Sequence, residues 1–176
     1  LFPKMLDFMV LAAPRSGTAW VSNWLTTDRS LCLHDPLFKW HYKDWDRLPF
    51  QREKLGVACT GIAVLNPNWA RSYPCRKLVI HRPIGEINAS LGKLGLPALG
   101  IEWDLALDAI DGYHVQWDLL TSPSKQAELV WDWLLGLPYD ADRHLALAEL
   151  NIQRDLNRIS INRAAFDKSI GELQAA

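Results

Sequence analysis

The sequence predicts an α/β domain of three layers, a central and mostly parallel sheet with helices on both faces, built around a phosphate-binding loop. Three observations carry that prediction. Apolar runs of strand length alternate with segments of helical periodicity, the pattern of parallel strands joined by helices. The first run, at 7–12, is apolar after Asp7, as a strand buried on both faces must be. It stops at a Pro-Arg-Ser-Gly-Thr turn, residues 14–18, and resumes as an amphipathic helix.

The elements follow in order. Pro14 and Gly17 turn the chain, and a helix over 17–27 starts near Gly17 with Thr18 in its first turn. The free N–H groups of that helix start, its dipole and the cationic Arg15 beside it make an anion site. A second strand at 30–33 runs into His34, Asp35 and Pro36, and an aromatic and charged segment at 37–54 separates it from a third at 57–64. The fourth, at 77–80, ends in His81, Arg82 and Pro83. Pro83 suits the start of a helix over 84–94, because the N–H it lacks has no partner there anyway. Helical patterns at 101–110, 123–135 and 140–150 flank a fifth strand at 113–117. Leu129, Trp133 and Leu137 form the apolar stripe of the middle one, and Gly136 and Pro138 end it.

The last pattern, 151–173, spaces Ile152, Leu156, Ile159, Phe166, Ile170 and Leu173 by threes and fours around Arg163. It reads as a helical extension, 151–176, packed on the domain, with Arg154, Arg158 and Arg163 on its solvated face. An oligomer seam along it is compatible with the pattern, though the repeat is short. No repeat, low-complexity stretch or linker divides the chain, so residues 1–176 are expected to form one domain.

Composition narrows the function classes. The 176 residues are 49% hydrophobic and 22% charged with a net charge of −1, which gives no electrostatic footprint for nucleic acid or an anionic membrane. Cys32, Cys59 and Cys75 are odd in number and lack CxxC or His-rich spacing, so neither a disulfide framework nor a metal site is expected. Reduced thiols point to the cytoplasm. Lys4 ahead of the first apolar run imitates a signal peptide, but the run is short and leads directly into a motif that needs it as a strand. No apolar stretch approaches the roughly 20 residues of a membrane span. The nine tryptophans read mainly as packing, with a few left to line a pocket.

The loop is not a Walker A motif. Laid over residues 12–19, G-x-x-x-x-G-K-[ST] matches only at Gly17, while Thr18 stands in for the lysine and Ala19 for the Mg²⁺-binding hydroxyl. What PRSGTAW resembles is the 5′-phosphosulfate loop of sulfotransferases, P-[KR]-S-G-T-[TS]-[WFL], from which it departs only at Ala19. A second likeness lies at 82–90, where Arg82, Pro83, Glu86 and Ser90 match the family's R-[DN]-P-x-[DE]-x-x-x-S element apart from the residue after Arg. Residues 115–120 and 135–138 resemble the family's segment in which a strand ending in a Tyr-Glu-Asp-Leu-like sequence leads to a helix and then a Leu-Gly-Leu-Pro turn.

The resemblance covers roughly residues 7–145 and implies a P-loop sulfotransferase-type domain whose donor is 3′-phosphoadenylyl sulfate (PAPS). It implies that Arg15, Ser16, Gly17 and Thr18 hold the 5′-phosphate and the departing sulfuryl group, and that Arg82 and Ser90 hold the 3′-phosphate. Sulfuryl transfer depends on in-line positioning and charge neutralisation, so no metal is implied. Asp35 matches the carboxylate that bacterial members carry in a His-Glu-Pro sequence and is the first candidate for the base, with His34 in reserve. Trp40, His41 and Trp45 are candidates for an acceptor pocket, and Trp69 for stacking on adenine. The acceptor is expected to be a small molecule with a hydroxyl or amine.

Two departures separate the chain from the animal cytosolic enzymes of that family. Residues 60–69 lack their catalytic histidine, and 146–176 lack their Arg-Lys-Gly loop. A nucleotide-binding or interaction module of the same fold without transfer is therefore the alternative, with a small P-loop kinase behind it.

Overall fold

A computed structural model describes residues 4–50 and 52–150 of the chain. Its strands are β1 (Phe8–Ala12), β2 (Ser30–His34), β3 (Lys54–Thr60), β4 (Arg76–His81) and β5 (Tyr113–Gln116). Its α-helices are α1 (Thr18–Trp24), α2 (Ile62–Leu65), α3 (Pro67–Ser72), α4 (Ile84–Gly92), α5 (Glu102–Asp108), α6 (Lys125–Leu135) and α7 (Ala141–Ala148). The five strands form one sheet in the order β2-β3-β1-β4-β5, with every pairing parallel.

β1 lies at the centre, which is why its five residues are all buried. Strand alternation divides them between two cores. Phe8, Val10 and Ala12 pack with Cys32, Ala58, Leu78 and Ile80 under α1, α6 and α7. Met9 and Leu11 pack with Leu31, Leu33, Val57 and Val79 under Ile62, Ala70, Ile87, Leu91 and Leu107 of α2–α5. Helices thus cover both faces, the three layers expected.

The order of the strands positions a crevice. From β1 the chain leaves toward β2 and β3, whereas from β4 it leaves toward β5 on the other side. The carboxyl ends of β1 and β4, which are hydrogen-bonded neighbours, therefore form the topological switch point of the sheet. The 13–17 turn follows one of these strands and His81-Arg82-Pro83 follows the other.

Several boundaries differ from expectation. The third strand ends at Thr60, because Gly61 turns with φ +107° and the apolar Ile62–Leu65 coils into α2, burying Ile62 and Ala63. Helix α3, opened by Pro67, was not anticipated either. Helix α1 stops at Trp24, three residues early, because the Thr26 hydroxyl turns back to donate to Ser22 O at 2.7 Å and accepts from Cys32 N–H. Leu129 is exposed; the stripe that α6 buries is Ala127, Val130, Trp131, Leu134 and Leu135, one position over. Ser124 caps α6 and Gly136, at φ +60°, ends it.

Arg143 joins α7 to α1. Its buried guanidinium donates to the carbonyls of Trp24 at 2.5 Å, Thr26 at 2.6 Å and Asn23, filling the acceptors that the end of α1 leaves open. Burial lowers its pKa to about 10, so it stays cationic at neutral pH. Cys32 and Cys59 are buried and Cys75 half-buried, all as free thiols. Among the described residues no helix is long and apolar enough to cross a membrane. The helix expected at 151–173, with its arginines and oligomer seam, lies outside the described residues.

Candidate functional site

The turn after β1 places two residues in left-handed backbone, Arg15 at φ 64° and Gly17 at φ 80°. Glycine adopts that region freely and arginine does not. Gly17 is needed for a second reason: a Cβ there would collide with the indole of Trp117. In α1, Val21 N–H is bonded to Gly17 O at 2.9 Å, so the N–H groups of Thr18, Ala19 and Trp20 have no intrahelical acceptor.

The turn after β4 reaches this loop. Arg82 donates through one terminal nitrogen to Arg15 O at 2.7 Å and through Nε to the Glu86 carboxylate at 3.0 Å. Arg15 in turn donates from Nε to Ser90 Oγ on α4 at 3.0 Å. Two segments far apart in sequence are thereby tied into one cationic corner.

From the other side β2 contributes His34 and Asp35. Thr18 Oγ1 lies 3.1 Å from His34 Nε2, and that nitrogen lies 3.2 Å from Asp35 Oδ2. The second carboxylate oxygen, Oδ1, accepts from Thr60 N–H at 2.7 Å and Thr60 Oγ1 at 3.0 Å. Thr18 Oγ1 and His34 Nε2 share one hydrogen, and Asp35 Oδ2 stands within ion-pair distance of the same nitrogen. His34 Nδ1 has no hydrogen-bond partner among the described residues. Desolvation lowers the His34 pKa, against an opposing pull from Asp35, which keeps the ring neutral at pH 7.

These groups surround a cavity of about 680 Å³, lined by Arg15, Gly17, Thr18, His34, Asp35 and Arg82 among the predicted residues. Ser16 and Ser90 are not on its walls. Ser16 is fully buried with its hydroxyl unpartnered among the described residues, and Ser90 stands behind Arg15 as its hydrogen-bond acceptor. Trp20, Thr60, Trp117 and Glu149 also line the cavity. Trp20 and Trp117 lie in segments that carry the family likeness without being read as site residues, and Thr60 and Glu149, at the end of β3 and just after α7, belong to no motif.

The aromatic candidates lie elsewhere. Trp45 is fully buried and Trp69 packs edge-on against it and against Tyr42, in the core beneath α2 and α3. Trp40 meets Phe50, and His41 caps the 3-10 turn Tyr42–Arg47 by accepting from Lys43 N–H. None of the four lines the cavity. Their aromaticity is spent on packing a segment that has little regular structure of its own. Comparison with known proteins finds no matching family model and no matching curated protein.

Proposed function

We propose that the chain is a sulfotransferase of P-loop type that binds PAPS in this cavity and passes its sulfuryl group to a hydroxyl or amine of a small acceptor. The observation that carries the reading is the joining of Arg15 and Arg82 at the switch point. Two guanidiniums there match a donor with phosphate at two positions, and Arg82 acts on the loop as well as on the ligand. The cationic corner and the open N–H groups of α1 fit a polyanion without a metal ion.

In the reaction His34 takes the proton of the acceptor hydroxyl on Nδ1 as that oxygen forms a bond to sulfur. The bond from sulfur to the 5′-phosphate oxygen breaks, and adenosine 3′,5′-bisphosphate leaves with its electron pair. Arg15 and the helix N–H groups neutralise the charge that grows on the phosphate. Asp35, with Oδ1 held by Thr60 and Oδ2 3.2 Å from His34 Nε2, stabilises the imidazolium. This reverses the order in which the two residues stood as candidates for the base.

Calorimetry with adenosine 3′,5′-bisphosphate, AMP and ATP tests the donor. Preference for the first by at least about tenfold is expected, since a charged hydrogen-bonded group contributes roughly 1.5–3 kcal/mol. Equal affinity for AMP overturns the proposal. Tight binding with no transfer of labelled sulfate to a panel of phenols, sugars and amines leaves the module without transfer.

A further inference from the structure

A second group of polar side chains meets beside the crevice, between the ends of β4 and β5. The register pairs Val79 with His114 and His81 with Gln116. His81 and His114 are therefore diagonal neighbours on one face of the sheet, the face covered by α5. Asp108, the last residue of α5, joins them from above. One ligand atom from each of the three lies within 4.8 Å of the others.

The hydrogen bonds fix which nitrogens carry lone pairs. His114 Nε2 is 2.8 Å from Ile110 O, and a carbonyl only accepts, so Nε2 holds the hydrogen and Nδ1 the lone pair. His81 Nε2, 2.8 Å from that Nδ1, is then the donor between the rings. Their planes are 18° apart and their centroids 5.0 Å apart, which the N···N separation plus one ring radius at each end accounts for, so the contact is edge to edge. His81 Nδ1 is left with a lone pair 3.9 Å from the Asp108 carboxylate. Two acceptors thus stand near one another with no donor between them, an arrangement that a cation relieves.

We propose that His81, His114 and Asp108 form a binding site for a divalent transition-metal ion of the zinc class. Two imidazoles and a carboxylate are borderline ligands that favour Zn²⁺ over Mg²⁺, which takes oxygen and water. Ligand atoms at 2.0–2.1 Å from an ion stand roughly 3.3 Å apart in tetrahedral geometry. The exposed Asp108 side chain can rotate to close the remaining gap. His81 presents a nitrogen toward each partner, so a small ring rotation brings it to an ion held by the other two. The Ile110 carbonyl on His114 Nε2–H is the outer contact that orients a metal-binding imidazole. Sequence spacing concealed the site, since its ligands come from two strands and a helix. The site does not depend on the PAPS reading, although His81 precedes Arg82 and an ion there would stiffen the turn that carries it.

Calorimetry of the full chain with ZnCl₂ and with MgCl₂ tests the site, alongside imidazole ¹H–¹⁵N correlation spectra. One equivalent of Zn²⁺ is expected, no response to Mg²⁺, and shifts confined to the ring nitrogens of His81 and His114. His114→Ala should weaken zinc binding at least about tenfold. Asp108→Asn, at an exposed position that keeps its shape, should weaken it in the same direction and serves if His114→Ala does not fold. Absence of saturable zinc binding, shifts at His34 in place of His81 and His114, or unchanged affinity in both variants overturns the proposal.

Discussion

The Arg82 guanidinium donates to the backbone carbonyl of Arg15 at 2.7 Å, across 67 positions of sequence. Arg15 has a left-handed backbone at φ 64°, a conformation that costs about 1–2 kcal/mol in a residue with a Cβ. A charge-assisted bond to its carbonyl offsets that cost and holds the Arg15 side chain beside Ser90. The second motif therefore shapes the first.

Arg82→Ala should weaken binding of adenosine 3′,5′-bisphosphate by more than the tenfold or so of one charged contact, because the 13–17 turn loses its brace as well. Arg82→Lys should recover only part, since an ammonium cannot serve Arg15 O and Glu86 with the fixed fork of a guanidinium. Calorimetry of the two variants measures both steps. Unchanged affinity in Arg82→Ala would remove Arg82 from the site.

His34→Ala should lower the transfer rate by about a hundredfold or more while leaving nucleotide affinity within a factor of two. The proposed base works unprotonated and its pKa is lowered by burial, so the rate should hold as pH falls past 6.5 and decline only as pH reaches that lowered pKa. Asp35 raises that pKa, so Asp35→Asn should move the acid limb to still lower pH and also slow the reaction by freeing the ring. Rate profiles between pH 4.5 and 8 report this shift. A limb unmoved in Asp35→Asn would mean that the two groups do not interact during turnover.

Gly17→Ala should destabilise the fold by roughly 2–4 kcal/mol, combining left-handed strain with collision against Trp117. In a double-mutant cycle, Trp117→Ala should relieve the collision and leave the strain, giving a coupling of about 1–3 kcal/mol by urea unfolding. Additive effects would show that the indole does not close over the loop.

His144 is fully buried, accepting at Nδ1 from Tyr139 Oη at 2.6 Å and donating from Nε2 to Leu120 O at 2.8 Å. Burial lowers its pKa, opposed by the Leu120 bond and aided by Arg143. Above pH 6.5 the ring is neutral in folded and unfolded chains alike. Below it the unfolded chain binds a proton that the folded chain resists, so stability should fall as pH drops through the folded pKa. His144→Gln should flatten the decline in Tm between pH 7 and 5. An equally steep decline in the variant would assign the acid sensitivity to other groups.

Local chemistry made much of this legible. The all-apolar run of β1 announced a central strand, and Pro83 and Gly136 marked a helix start and a helix end, because each rule depends only on neighbours along the chain. Where local rules compete, they failed. Ile62–Leu65 reads equally as strand or helix, and only the sharp turn at Gly61 and the core beneath it decided for the helix. Trp45 and Trp69 looked available for a ligand, since nothing in the sequence says that they pack on one another.

The sequence by itself determined the α/β alternation, the two basic turns and the residue types able to hold an anion, because these follow from periodicity and the stereochemistry of proline and glycine. Tertiary structure alone decided that the two turns share one crevice, that Asp35 is occupied by Thr60 beside His34, and that His81, Asp108 and His114 meet. Strand order is the physical reason: it is set by which hydrophobic faces can be buried together, and no spacing along the chain records which strand ends will become neighbours.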